Sequence, residues 1–451
     1  MAETHQQIVQ RLIARWPEHR IAPGTARVAA LCDLLGSPQR ACPVIQIAGT
    51  NGKGSTAIMV DALLRALGLR TGRYVSPHLV DVTERICIDG RPMPRDDFDA
   101  LVEQTQPLVD MVDAQRIDGV AMTFFEVITA LAYEAFAQAP VDVAIVEVGL
   151  GGITDATNVA DAQVAVICPI DYDHTHLLGD TLTDIAGEKA GIIKPGSHAV
   201  LAAQQPEAAA VLLDRCAEVG AKVYREGVEF ALLERTPAVG GQVLRIDAAG
   251  GPVDDVLLPL FGAHMARNAA LAITAVEAFL GGQALAPDVI AEAFAEVTAP
   301  ARLEVVRRSP TVLLDSCHNP HGARATMDAL SEAFAFTPLI GVMAAMADKD
   351  VTGVLEVFEE SMSSIVCTTV AGTSRALSPE ALGERAAEVF GDDRVLVAAT
   401  MADAIEAAVT LADDAGPGAG VLIAGSVIAA GQARALLVGD EPDEPDAEET
   451  P

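Results

Sequence analysis

Nine consecutive residues, Ala48-Gly49-Thr50-Asn51-Gly52-Lys53-Gly54-Ser55-Thr56, have the make-up of a phosphate-binding loop. They follow an apolar run, Val44–Ala48, that predicts a buried strand, and they lead into residues 54–68, whose spacing predicts a helix ending at Gly68. Gly49, Gly52 and Gly54 let backbone N–H groups turn inward onto an anion. Lys53 adds a mobile cation for the outer phosphates, and a hydroxyl at the helix start is placed to bind Mg2+. The segment departs twice from the simple G-x-x-x-x-G-K-[ST] pattern. Ile47 stands where the first Gly belongs, and Gly54 follows the Lys, so the hydroxyl role moves to Ser55. A Gly-rich connector with no ligand is the bland alternative.

Four further polar clusters border apolar runs or helix ends. Glu147 ends a strand-like run and precedes Gly149, Gly151 and Gly152; it is either a Mg2+ ligand or a helix cap. Asp171-Tyr172-Asp173-His174-Thr175-His176 follows another apolar run, and Asp171, Asp173 or His174 are possible metal ligands. Glu188-Lys189 sits at a helix end, where the plain reading is a solvated ion pair. Asp315-Ser316-Cys317-His318-Asn319-Pro320 follows a fourth run; it offers Asp315 and His318 for chemistry, or an Asx-type turn with Pro320 opening a helix.

Such clusters act together only if strands deliver them to one edge. Residues 5–35 read as helical with breaks at Pro23 and Gly24, and 123–138 and 181–190 read as helices. Residues 141–148, 164–170 and 197–203 read as strands. This alternation predicts an α/β fold with a doubly wound parallel sheet, whose ligands bind outside the carboxyl ends of the strands. Residues 221–260 are turn-rich and predict a small antiparallel patch, followed by helices over 264–280 and 287–297. The pattern then restarts, with strands expected at 312–315, 339–342, 364–369, 395–398 and 421–424. The expected organisation is an ATP-binding domain over 1–297, a linker over 298–302, a smaller α/β domain over 303–438 and an acidic, disordered tail over 439–451.

Composition narrows the partners. The chain has 451 residues, 51% of them apolar and 4% aromatic, with a net charge of -33. That charge argues against nucleic acid and anionic membranes, but a local cluster of Lys and backbone N–H groups still admits anionic small molecules. The seven cysteines form no C-x-x-C pair, which predicts free thiols in a reducing cytoplasm. The first 20 residues lack an apolar signal core, and no apolar run approaches the length of a membrane span. A monomeric cytoplasmic protein with small-molecule partners is expected.

The ordered set of motifs carries a resemblance. The phosphate loop, Ser76-Pro77-His78-Leu79, Glu84-Arg85-Ile86, Phe124-Phe125-Glu126, Glu147 with its glycines, Asp155-Ala156-Thr157-Asn158, Glu188-Lys189-Ala190-Gly191-Ile192-Ile193, His264 to Asn268 and His318-Asn319-Pro320 occur in one order over residues 25–435. In this the chain resembles the folylpolyglutamate synthase/dihydrofolate synthase family of the Mur ligase superfamily. The resemblance implies a P-loop NTPase-like Mur-ligase central domain and a smaller Rossmann-like C-terminal domain that close over the substrates. It implies ATP, Mg2+ at two sites and often K+, with L-glutamate joined to a folate or dihydropteroate. It makes Ser55, Glu147 and His174 Mg2+ ligands, Lys53 the phosphate-binding lysine, and Lys189 a carbamylated metal ligand. Asn268, Arg302 and Asp315 become nucleotide contacts, His318 a residue near the γ-phosphate or the incoming glutamate, and Ser426 a glutamate contact. Ser76, His78, Phe124 and Asp155 fall where the family holds the pterin and acyl substrate.

The chain also departs from the family. The pattern G-G-R-x-D-A-T-N reads here Gly151-Gly152-Ile153-Thr154-Asp155, so a cation is replaced by an alkyl group. Pro-Gly before Arg302 is replaced by Pro300-Ala301. Two other readings stand beside the folate ligase: a ligase of the same superfamily with a cell-wall acceptor, and a nucleotide-binding regulatory module without ligation.

Overall fold

The computed structural model describes residues 3–15, 22–373 and 375–439. The tail expected over 439–451 lies, beyond its first residue, outside them, as do residues 16–21 of the first helical stretch. The chain divides into two compact units, Met1–His78 with Val82–Thr298, and Leu79–Asp81 with Ala299–Pro451.

The first unit is built on eight strands: β1 (Val44–Ala48), β2 (Thr71–Tyr74), β3 (Ile86–Ile88), β4 (Arg91–Pro92), β5 (Val143–Glu147), β6 (Val164–Ile167), β7 (His198–Leu201) and β8 (Lys222–Arg225). Their order is β4-β3-β2-β5-β1-β6-β7-β8. β3 alone runs opposite to the rest, pairing antiparallel with β2 on one side and with the edge strand β4 on the other. β1, β5 and β6 are buried along their whole length, as their unbroken apolar runs require when helices cover both faces. β1 lies between β5 and β6 and parallel to both. The carboxyl ends of these three strands therefore share one edge, and this delivers the phosphate loop, Glu147 and the 171–174 turn to the same side.

Helices fix the loops between strands. The helix Phe124–Gln138 starts from a capping box in which Thr123 and Glu126 exchange side chain-to-backbone bonds. Thr181 and Asp184 do the same for the helix Leu182–Ala190. A three-stranded antiparallel sheet, β9 (Ala231–Ala238), β10 (Gly241–Ala248) and β11 (Gly251–Leu258), fills the turn-rich stretch. β8 is the exception within it, joining the parallel sheet beside β7.

The second unit has six strands: β12 (Arg302–Arg308), β13 (Thr311–Asp315), β14 (Leu339–Met343), β15 (Ser364–Cys367), β16 (Val395–Val397) and β17 (Gly420–Ala424). Their order is β12-β13-β17-β14-β15-β16, and only β12 runs antiparallel. Its core gathers Val312, Leu314, Ile340, Val342, Val421 and Ile423. Among the described residues, no helix is long and apolar enough to cross a membrane.

Candidate functional site

The turn after β1 is shaped by residues that contact it from three other elements. Gly49 has φ +149°, and a Cβ there would stand 2.6 Å from that of Cys168, just past β6. Gly52 has φ +89°, with a Cβ position 2.9 Å from the amide oxygen of Asn268. Both positions thus need glycine twice over, for conformation and for space. Asn268 is buried in the helix Ala263–Phe279. Thr50 is tied to the 171–174 turn in both directions: its hydroxyl donates to the Asp171 carbonyl and accepts from the Asp171 N–H, each at 3.0 Å. Asn51 lies half-buried at the tip.

Lys53 opens the helix Lys53–Ala66 and curls back, its ammonium donating to the carbonyls of Gly49 (3.2 Å) and Thr50 (3.3 Å). Ser55 and Thr56 are buried in the first turn, with the Thr56 hydroxyl 3.5 Å from the Cys168 thiol. Glu147, the last residue of β5, is 5% exposed. Its carboxylate accepts the Ser76 N–H at 3.3 Å and lies 3.5 Å from where a Gly54 side chain would begin. A larger residue at 54 would fill that space.

Lys189 overturns its plain reading. It is not a solvated partner of Glu188 but a buried side chain, 4% exposed, donating to the Gly49 carbonyl at 3.0 Å. Burial, and then the charge of Lys53, pull its pKa down to about 7. Gly152 lies against the backbone of Glu188 and Lys189, and the Ile153 N–H donates to the Glu188 carbonyl at 3.0 Å, so the loop after β5 is fastened to this helix end.

His174 adopts a left-handed conformation (φ 52°) at the start of a single helical turn, its ring 6.3 Å from that of His176 and its Nε2 3.8 Å from Asp173 Oδ1. Among the described residues, no group of three or more His, Cys, Asp and Glu side chains is placed to cage a metal. Mg2+ keeps several waters and takes one or two protein oxygens plus substrate phosphates, so it would need no such cage. The Glu147 carboxylate beside Gly54 at the helix start, with Ser55 one residue on, would offer it two oxygens.

A second group lies on the β2–β3 side. Ser76 and Pro77 are joined by a cis peptide. His78 Nδ1 accepts from Arg85 Nε at 2.9 Å, and the Arg85 guanidinium lies 5.0 Å from the centre of the Phe124 ring. Asp155 is buried, accepting from the N–H groups of Leu150 (2.9 Å) and Thr157 (3.0 Å) and from the Thr157 hydroxyl. Burial raises its pKa, and these bonds act against the rise. Gln46, the polar break in β1, donates to the Thr157 hydroxyl at 3.0 Å. Sequence reasoning passed over Gln46 and gave Arg85 no role, although a Gln inside Val-Ile-Gln-Ile-Ala is a visible signal.

In the second unit Asp315 is 4% exposed and fully committed. It accepts from the N–H groups of Leu303 (3.0 Å) and Cys317 (2.9 Å) and from the Thr326 hydroxyl (2.9 Å). It thereby fixes the backbone next to Arg302, where Ala301 and Leu303 both have positive φ. His318 Nδ1 donates to the Ser316 carbonyl at 3.0 Å, and Asn319 caps the helix Pro320–Ala333, so the Asx-type turn is present. Ser426 caps the helix Val427–Leu437, its hydroxyl accepting from the Ala429 N–H at 2.9 Å.

A phosphate-type loop on a doubly wound sheet, with a separate smaller α/β unit, defines the Mur-ligase class, and residues 301–427 match the family described as Mur ligase, glutamate ligase domain. The dihydrofolate synthase/folylpolyglutamate synthase of Mycobacterium tuberculosis is 48% identical over 96% of this chain and 94% of its own length. A solved Mycobacterium tuberculosis folylpolyglutamate synthase complexed with ADP superposes with a TM-score of 0.93 at 48% identity, covering 97% of this chain and 99% of that one. A solved FPGS–AMPPCP–folate complex gives 0.84 at 31% identity, over 97% and 100%. The chain belongs to the dihydrofolate synthase/folylpolyglutamate synthase family.

Proposed function

We propose that this chain is an ATP-dependent amide ligase that adds L-glutamate to a folate, to dihydropteroate or to both, through an acyl phosphate. The observation that carries the reading is the convergence of Lys53, Lys189 and Glu147 on the Gly49–Gly54 turn. A carboxylate is a poor electrophile, and its charge repels ATP. Lys53 offsets that repulsion and stabilises the charge of a phosphoryl group in transfer. The glutamate amine then attacks the acyl carbon, the C–O bond to phosphate breaks, and inorganic phosphate leaves as the amine gives up a proton. Holding both reactants in position supplies on the order of 7–11 kcal/mol of the barrier.

In this reading Ser55, Glu147, His174 and a carbamylated Lys189 hold Mg2+ at two sites, and the metal supplies neutralisation of phosphate charge. Asn268, Arg302 and Asp315 serve the nucleotide, Asp315 by holding the backbone beside Arg302. His318 and Ser426 serve glutamate, and Ser76, His78, Phe124 and Asp155 the acyl acceptor. K+ stimulation, a cytoplasmic location, a monomeric state and the domain limits 1–297 and 303–438 belong to the same proposal.

The test is single-turnover phosphate release with tetrahydrofolate and with dihydropteroate, each with and without glutamate. Phosphate together with a glutamylated product is expected from at least one. Product with a nucleotide-linked peptide acceptor instead would move the assignment to a cell-wall ligase, and nucleotide binding with no acyl product would make it a regulatory module.

A further inference from the structure

The phosphate loop leans on a short piece of chain whose other side is held by a residue that none of the roles above uses. The ladder between β6 and β7 runs to the pair Ile167 and Leu201, where the Ile167 carbonyl accepts the Ala202 N–H at 2.9 Å. Pro169 has no N–H with which to carry that ladder on. The segment 168–171 nevertheless touches the loop at Gly49, Thr50 and Thr56. Cys168 closes the space beside Gly49, and its thiol lies 3.5 Å from the Thr56 hydroxyl. The Pro169 carbonyl accepts the Thr50 N–H at 2.9 Å, next to the two bonds between Thr50 and Asp171.

Gln204, half-buried just past β7, takes over where the ladder stops. Its Nε2–H donates to the Cys168 carbonyl at 3.1 Å, and its Oε1 accepts the Ile170 N–H at 2.9 Å. One carboxamide thus spans Pro169 and pairs with the backbone on both sides of it. An ionised glutamate would only accept at this place and a lysine would only donate, whereas the amide does both. The backbone that presents Gln204 is held in turn. The Ala203 N–H donates to the Glu226 carboxylate at 2.8 Å, and the Glu226 N–H returns to the Leu201 carbonyl at 2.9 Å. Without the amide, the 168–170 segment keeps its bonds to Thr50 but loses its anchor to β7. A loop resting on a loosened support must be ordered by its ligand, and that ordering is subtracted from affinity.

We propose that Gln204 is a positioning residue for the nucleotide: it clamps residues 168–170 from the β7 side and so holds the phosphate loop in the shape that receives a nucleoside diphosphate or triphosphate. This rests on the Gly49–Thr56 turn being the nucleotide site, and on the two Gln204 bonds for its mechanism.

The experiment compares the full-length protein with Q204M, which keeps the length and removes both bonds, and with Q204E, which keeps the acceptor for Ile170 and turns a carboxylate oxygen toward the Cys168 carbonyl. Calorimetric titration with MgADP is expected to show binding about threefold to tenfold weaker in Q204M, the worth of one or two neutral hydrogen bonds. A comparable loss is expected in Q204E. KM for the acyl acceptor should stay within about twofold of the parent. Amide hydrogen exchange should speed up over residues 49–56 as well as 168–171, and stay unchanged over 44–47 in β1. A purely structural role would speed exchange over 168–171 alone, or lower stability and raise both KM values together. MgADP affinity within about twofold of the parent in both variants overturns the proposal, as does unchanged exchange over 49–56. If Q204M does not fold, Q204E decides. A parent protein that does not bind MgADP fails the nucleotide reading instead, and exchange over 49–56 still tests the clamp.

Discussion

Lys53 and Lys189 donate to the same carbonyl oxygen, that of Gly49, at 3.2 and 3.0 Å. Burial, and after it the charge of Lys53, lowers the Lys189 pKa to about 7.

Lys53→Ala removes the group that reaches into the turn from the start of the helix. Steady-state turnover is expected to fall by about a hundredfold or more, the scale of losing one charge-stabilising donor at a transferred group. Far-UV circular dichroism should be unchanged, because the Lys53 ammonium bonds only to its own loop. Retention of more than about a tenth of the turnover would contradict the assignment of Lys53.

Lys189 makes stability depend on pH with a defined sign. Its ordinary value is 10.5 and its folded value about 7. Below about pH 7 the amine is charged in both states and the cost of burying that charge is fully present. Between about 7 and 10.5 the unfolded chain binds a proton that the folded chain does not, so stability rises with pH. Urea midpoints in CO2-free buffer should therefore place K189M above the parent at about pH 6.5, with the gap narrowing by about pH 9.5. A gap that does not change with pH would sink the prediction.

The phosphate loop was legible because its signals are local: glycines and a lysine between an apolar strand and a helix. Lys189 was not legible from its neighbours, since its partner carbonyl lies 140 residues away and only the sheet order brings them together. The resemblance singled it out, while local chemistry gave the wrong environment. β2 was missed because it has four residues, including Gly72 and Arg73, and takes its strand character from pairing with β5. β12 was missed because Arg-Leu-Glu-Val-Val-Arg-Arg is an exposed antiparallel edge whose alternation is broken by two register shifts.

Arg27 and Glu126 form an ion pair at 2.8 Å, with side chains 1% and 4% exposed. Arg27 also donates to Asp118 and to the Ala22 carbonyl. Glu126 is at the same time the capping residue of the helix that starts at Phe124. Breaking a buried pair from one side strands a charge, so R27M should cost about 3–5 kcal/mol of stability in urea titrations. R27M/E126Q keeps the cap and removes both charges, and it should cost clearly less than the two single changes added together. A loss below about 1 kcal/mol for R27M would mean that water reaches Glu126.

Thr157 offers a pH-resolved test of the acceptor side. Its hydroxyl and N–H both donate to Asp155 Oδ1, and Gln46 donates to that hydroxyl from inside β1. Burial raises the Asp155 pKa above 3.8, and the Thr157 bonds hold the rise in check. Thr157→Val keeps the shape and removes the hydroxyl donor, so the folded pKa should climb further. A raised folded value means that the folded chain keeps a proton the unfolded chain has released. The stability this contributes is fully present below 3.8 and is lost as pH rises through the folded value. The variant should therefore lose more stability relative to the parent at about pH 7.5 than at about pH 4.5. The unpaired Gln46 amide adds a cost that does not vary with pH. An equal loss at both pH values would leave only that amide cost and would show that the Thr157 hydroxyl does not hold the Asp155 charge.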